Sequence, residues 1–195
     1  GYENATPVQE QVIPLILQGK DIIASAQTGT GKTAAFLLPL INKIITDPLV
    51  NHTNTALVIV PTRELAIQIA QHMEGLSYFT SVSSIAVYGG GDGNAFVQEK
   101  KALSHGADVV VCTPGKMMAH IKMGYVKLDG LKYLVLDEAD RMLDMGFYDD
   151  IMFIINHLPK KRQNLLFSAT MPHKIREMAR KILHQPPEIN ISISK

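Results

Sequence analysis

The feature that most constrains this chain is an alternation. Short β-branched runs at about 21–25, 56–60, 83–88, 108–112, 133–136, 164–167 and 188–191 are separated by longer amphipathic stretches. Alternating short strands and helices of this kind build βα units around a parallel sheet. The spacing predicts helices at about 8–17, 32–45, 63–74, 96–103, 116–123, 148–158 and 173–183. The expectation is an α/β fold: one doubly wound, mostly parallel seven-stranded sheet with helices on both faces.

Composition narrows the class. The chain has 195 residues, 46% of them apolar, which suffices for the core of one domain and excludes a disordered tail. Lys and Arg number 19 against 18 Asp and Glu, for a net charge of +1, so any nucleic-acid site must be local. A single cysteine, Cys112, permits no internal disulfide, and seven scattered His lack metal-ligand spacing. These point to a reducing, cytoplasmic setting without structural zinc. The longest apolar stretch, 34–41, is too short to span a membrane and contains Pro39. No signal-peptide pattern is present, and the chain opens without an initiator Met, as an excised piece would. Residues 47–55 read as a helix-to-strand loop and 89–94 as a flexible turn. The acid-rich 137–150 and the basic 160–162 and 174–181 read as solvated helix faces. Met142, Met145, Met152, Met171 and Met178 fall in apolar helical patterns and read as core filler. His157, His173 and His184, near helix ends, read as cap or surface residues.

Ligands of open parallel sheets bind beyond the carboxyl ends of the strands, so unusual residues there carry weight. The first strand runs into Ala26, Gln27, Thr28, Gly29, Thr30, Gly31, Lys32 and Thr33, followed by an almost uncharged helix. This order of strand, glycine loop and helix is that of a phosphate-binding loop, with Ala26 where the usual pattern has Gly. Glycines admit backbone N–H groups to the phosphates, Lys32 supplies a point charge, and the Thr33 hydroxyl can ligate Mg²⁺. Such a loop needs a carboxylate site at the end of another apolar strand. The run 134–136 ends in Asp137, Glu138, Ala139 and Asp140. Adjacent side chains diverge there, so Asp137 can face Mg²⁺ while Glu138 faces the attacking water. Other strand ends carry Pro61-Thr62-Arg63-Glu64, Gly89-Gly90, Thr113-Pro114-Gly115-Lys116 and Ser168-Ala169-Thr170. Each can serve phosphates of an extended nucleic-acid strand, or more simply cap a helix, as Thr62 and Thr113 are suited to do.

In order, these segments resemble the first, RecA-like lobe of the DEAD-box family of ATP-dependent RNA helicases, in a spacing similar to bacterial members. The resemblance runs over nearly the whole chain: Tyr2 through Thr6 and Gln9, AQTGTGKT, PTRELA, the glycine pair, TPGK, DEAD and SAT. It implies that Gln9 reads the adenine of ATP through its carboxamide, supported by Thr6. It implies that Glu138, Lys32 and Asp137 are catalytic, with Thr33 and Asp137 holding Mg²⁺ partly through water. Pro61 to Glu64, Gly89, Gly90 and Thr113 to Lys116 would hold single-stranded or short duplex RNA without regard to sequence. Asp140, Ser168 and Thr170 would couple the nucleotide to movement of a second RecA-like lobe. Lys116 replaces the usual Arg of its segment, losing fork geometry while keeping charge. The expected upstream aromatic and the second lobe, with its arginine fingers, are missing from the chain. The implied activity is therefore ATP hydrolysis coupled to RNA unwinding in a longer, monomeric protein, with this piece nearly inactive alone. A non-catalytic ATP-gated RNA clamp or scaffold and a related DNA translocase are the alternatives.

Overall fold

A computed structural model describes residues 3–27, 29–47 and 53–191. Among the described residues are seven strands and eight helices. The strands are β1 (Ile22–Ser25), β2 (Ala56–Ile59), β3 (Ser84–Val87), β4 (Val109–Cys112), β5 (Tyr133–Leu136), β6 (Gln163–Ser168) and β7 (Glu188–Asn190). The helices are α1 (Pro7–Leu17), α2 (Lys32–Thr46), α3 (Arg63–Ser77), α4 (Gly93–His105), α5 (Pro114–Lys122), α6 (Ala139–Asp144), α7 (Tyr148–Asn156) and α8 (His173–Ile182). The predicted sheet is present, and every pairing in it is parallel.

Parallel strands covered on both faces are apolar throughout, and the period of two then sorts side chains into two cores. In β2, Ala56 and Val58 join a core with Val12 and Ile16 of α1, Phe36 and Leu40 of α2, and Ile69 and Met73 of α3. Leu57 and Ile59 join the other, with Leu103, Met117 and Ile121, Ile151 and Ile154, and Ile175 and Met178 of α4, α5, α7 and α8. Pro39 does not interrupt α2, where it is buried within the helix.

Strand order is β3-β4-β2-β5-β6-β1-β7. This order makes neighbours of segments far apart in sequence. The carboxyl ends of β3, β4 and β2 lie side by side, as do those of β5, β6 and β1.

The structure corrects four expectations. Residues 137–150, read as a solvated helix face, hold the unpredicted helix α6, ended by Gly146 at φ 81°, and bury Asp137, Ala139 and Met142. The helix predicted from 96 begins at Gly93, because the Asp92 carboxylate accepts from the Ala95 N–H at 3.0 Å and caps it. The turn therefore ends before Gly93. Met145 is exposed rather than core, since it follows α6 at the point where the chain turns away. Thr62 caps α3, whereas Thr113 occupies the cap position of α5 without a side-chain cap bond. Tyr2, Thr28 and residues 48–52 of the expected loop lie outside the described residues.

Candidate active site

The glycine loop leaves β1 through buried Ala26 and exposed Gln27 and closes on α2. Gly29 and Gly31 adopt φ of 85° and 82°, the left-handed region that side chains disfavour. Gly31 is the N-cap of α2 and offers no side-chain acceptor, so no cap side chain covers the first N–H groups of the helix, the groups that suit an anion. Thr30 instead donates its hydroxyl to the Gln27 carbonyl at 2.7 Å, bracing the loop from within. Thr33, one residue into the helix from Lys32, is half-buried.

Thr6 and Gln9 lock α1 onto this loop. The Thr6 N–H donates to Gln9 Oε1 at 3.0 Å and Thr6 Oγ1 accepts from the Gln9 N–H at 3.4 Å, a reciprocal cap. Gln9 Nε2 then donates to the Gly31 carbonyl at 3.1 Å. One N–H and one lone pair of the carboxamide are thereby used, and one of each remains for a base edge. A Cβ at Gly31 would lie 2.7 Å from Gln9 Nε2 and 2.9 Å from Thr6 Oγ1. Gly31→Ala is therefore expected to cost at least about 1 kcal/mol from its φ alone, and to displace Gln9. Thermal unfolding and nucleotide titration should show both a lower midpoint and a weaker affinity.

The two halves of the site meet at Lys32. Its Nζ lies 2.9 Å from Asp137 Oδ1, reaching across the end of β6 from α2 to β5, with Asp137 fully buried. Burial pushes the Asp137 carboxyl above its ordinary value, Lys32 opposes this, and the neighbouring Glu138 charge adds to it. The second oxygen, Oδ2, is buried and accepts no hydrogen bond among the described residues. An orphan carboxylate oxygen beside an ammonium fits a hard divalent cation and its water shell, so these residues suit Mg²⁺.

Glu138 departs from Asp137 at once. It holds φ 52°, ψ 48°, a left-handed conformation that is uncommon for a residue other than glycine and concentrates where geometry serves chemistry. Its Oε2 lies 3.4 Å from Arg141 Nη1, whereas Asp137 Oδ1 meets Lys32. The expected divergence of the two acids is thus present. Lys32, Glu138, Asp140, Arg141, Ala26 and Ala169 line one cavity of about 210 Å³.

Asp140 ties the acid segment to the SAT segment. Its Oδ2 accepts from the Thr170 hydroxyl at 2.9 Å and N–H at 3.1 Å, while its own N–H donates to Ser168 Oγ at 3.2 Å. Ser168 Oγ donates onward to the Thr170 carbonyl at 2.7 Å. Burial disfavours the Asp140 charge, but the Thr170 hydroxyl and the Arg141 and Thr170 N–H groups outweigh it and hold the carboxyl below its usual range. A shift of any member of this network is felt by the others.

The remaining predicted residues line the adjoining rim. Pro61 is buried, Thr62 Oγ1 accepts from the Leu65 N–H at 3.2 Å, and Arg63 and Glu64 are exposed. Arg63 lies 5.2 Å over the Tyr88 ring, and a Cβ at Gly90 would come within 2.8 Å of its guanidinium. Gly90, at φ 87°, thus makes room for Arg63, joining the ends of β2 and β3. Gly89 and Gly115 are exposed and Pro114 is buried. Lys116 is not free, since its Nζ lies 5.0 Å over the Phe96 ring and 3.9 Å from Glu99 Oε2. Sequence reading missed Glu99, Phe96, His120 and Tyr125, which gather behind Lys116. The only trace in the sequence is an acid and a histidine at helical spacing from an aromatic and a lysine, and pairing α4 with α5 requires the fold. A larger cavity of about 650 Å³ opens at the amino ends of β1, β6 and β7, away from this chemistry. The Asp21 carboxylate beside it is occupied by Asn164 and the His184 N–H. Cys112 is buried, and burial pushes its thiol up, so it is inert.

Fold and site together define a P-loop NTPase domain of the RecA-like type. Comparison with known proteins is more specific. The sequence profile described as DEAD/DEAH box helicase matches residues 6–178, and the chain belongs to that family. It is 51% identical over 191 residues to the ATP-dependent RNA helicase CshA of Listeria monocytogenes, covering 98% of this chain and 36% of that protein. It is 46% identical to the DEAD-box ATP-dependent RNA helicase RhpA of Helicobacter pylori, covering 100% of this chain and 38% of that one. The crystal structure of a DEAD box protein from the hyperthermophile Methanococcus jannaschii superposes with a TM-score of 0.89 at 42% identity, over 99% of this chain and 51% of that one. The chain therefore spans between about a third and a half of the proteins it matches.

Proposed function

We propose that this chain is the first lobe of an ATP-dependent enzyme that remodels short RNA duplexes. The observation that carries the reading is the Lys32–Asp137 contact at 2.9 Å, which unites the glycine loop and the acid segment over a shared cavity. The names of the relatives, ATP-dependent RNA helicases, support the choice of nucleotide and polymer.

Triphosphate occupies the open N–H groups at the start of α2, and Lys32 exchanges Asp137 for the outer phosphates. Thr33 and Asp137 would hold Mg²⁺, partly through water, and the ion would supply charge neutralisation on the phosphates. Glu138, which lines the cavity, positions the attacking water and accepts its proton. Gln9, already bonded to the Gly31 carbonyl, presents its spare donor and acceptor to adenine, so occupancy of the base site is felt in the phosphate loop. The network of Asp140, Ser168 and Thr170 passes the change to a second RecA-like lobe, which supplies the other half of the site. Without it, loss of an arginine finger lowers turnover by about 10³ to 10⁵, and the isolated lobe is nearly inactive.

RNA lies along the neighbouring ends of β2, β4 and β3, on Pro61 to Glu64, Thr113 to Lys116 and Gly89-Gly90. These offer N–H groups, hydroxyls and two cations, groups suited to sugar and phosphate, so recognition is of backbone and indifferent to sequence. The protein acts as a cytoplasmic monomer. With both lobes present, RNA is expected to stimulate ATP hydrolysis and DNA to do so much less. Equal rates with and without RNA defeat the reading, and equal stimulation by DNA moves it to a translocase.

A further inference from the structure

Lys116 is the one predicted RNA-contacting cation whose side chain is largely covered, at 22% exposure. It stands in the first turn of α5, whose N-cap residue, Thr113, makes no cap bond. Helical side chains lean toward the amino end, so a phosphate seated on the first N–H groups of α5 would lie within reach of its ammonium. At rest that ammonium is held elsewhere. Glu99 Oε2 lies 3.9 Å from it, and the Phe96 ring lies 5.0 Å beneath it.

The carboxylate is fixed in place. Glu99 is itself buried, and its Oε2 meets Nε2 of the fully buried His120 at 2.6 Å. The His120 ring stacks on Phe96 with centroids 4.7 Å apart and planes inclined by 15°, and its other nitrogen meets the Tyr125 hydroxyl. Glu99 therefore cannot follow Lys116 outward, and a phosphate gains the lysine only when the lysine leaves the carboxylate.

We infer that Glu99 sets nucleic-acid affinity at this rim by competing with a backbone phosphate for Lys116. Glu99 is thus a positioning residue that acts through Lys116, and the inference rests on the RNA reading above. A further consequence is that Lys116, an ammonium rather than a fork, cannot satisfy carboxylate and phosphate together as a guanidinium can.

The test uses the protein with both lobes and a labelled single-stranded oligouridylate, titrated with a non-hydrolysable ATP analogue present. Glu99→Gln keeps an acceptor for His120 and removes the competing charge. It is expected to tighten binding about two- to fivefold, the range of a partly exposed ion pair. Lys116→Gln should weaken binding more in the Glu99→Gln background than in the wild type. The tightening should vanish when Lys116 is already Gln, a dependence that a merely structural role for Glu99 would not produce. Should Glu99→Gln not fold, Glu99→Leu with His120→Phe removes the pair as a unit, the change a buried polar pair tolerates best, and the same tightening is expected. Unchanged affinity, or equal tightening with and without Lys116, overturns the inference. A wild type that binds no oligouridylate defeats the RNA reading instead, so the two failures are distinct.

Discussion

Glu138→Gln is expected to lower ATP turnover by about 10² to 10⁴ while leaving nucleotide affinity near its wild-type value. The side chain lines the cavity shared by the glycine loop and the acid segment, where its carboxylate meets Arg141 while Lys32 meets Asp137. Its left-handed backbone aims it there, and an amide of the same shape preserves that aim, together with a contact to Arg141. What the amide lacks is a lone pair basic enough to take a proton from water. Single-turnover hydrolysis and equilibrium nucleotide binding, measured on the protein with both lobes, separate the two effects. Parallel loss of binding and turnover would place Glu138 in the phosphate site and remove it from the proton-transfer role. A turnover close to wild type would assign the base to another group.

Lys32→Ala carries the second large effect, on affinity and stability together. Loss of a charge-assisted contact to phosphate should weaken nucleotide binding about tenfold to a hundredfold. In the nucleotide-free protein the same change strands Asp137, whose side chain is fully buried and whose partner at 2.9 Å is gone. Breaking a buried pair in this way costs about 3 to 5 kcal/mol at neutral pH. The sign of its pH dependence follows from the carboxyl. Burial already holds Asp137 above its ordinary value of 3.8, and Lys32 is the main influence pulling it back. Without Lys32 the folded-state value rises further. An acid raised by folding binds its proton more readily in the native state, so stability is regained as pH falls from neutral through the folded-state value toward 3.8. Denaturant unfolding at neutral and mildly acidic pH should show the deficit of the variant shrinking in acid. A deficit that grows on acidification would mean that Asp137 is not the group left unpaired.

The placement of the pair also explains its contrast with Asp140. Both acids follow the same strand, yet Asp140 accepts from Thr170 and Arg141 and is held low, while Asp137 leaves one buried oxygen without a partner among the described residues. The first is a satisfied junction, the second a buried carboxylate that depends on Lys32. That difference is invisible in the spelling of the segment. It depends on β6 lying beside β5, which brings Ser168 and Thr170 under Asp140, and on β1 lying beside β6, which brings Lys32 over Asp137.

Much was nevertheless legible in the sequence, because it is written in local periodicity. Parallel strands buried on both faces are continuous apolar runs, and amphipathic helices between them repeat near every third or fourth residue, so element type follows from neighbours in the chain. The glycine loop is equally local, since left-handed φ at Gly29 and Gly31 and the start of α2 at Lys32 are consecutive features. Less legible were the short α6, whose six residues carry too few turns for a periodic signal, and the start of α4, decided by a single cap at Asp92. Thr113 suits a helix cap by type, and only its observed geometry frees its hydroxyl from that duty.

The sequence by itself determined that the chain forms βα units, that a phosphate loop follows the first strand, and that two acids with divergent side chains close the fifth. Those are properties of contiguous residues and of backbone sterics. Only the tertiary structure decided which of these ends are neighbours, that Gln9 bonds the Gly31 carbonyl, and that Glu99 rather than solvent faces Lys116. Contacts between residues 17 to 105 positions apart depend on strand order and helix packing, which the free energy of burying two whole cores selects and no local pattern specifies.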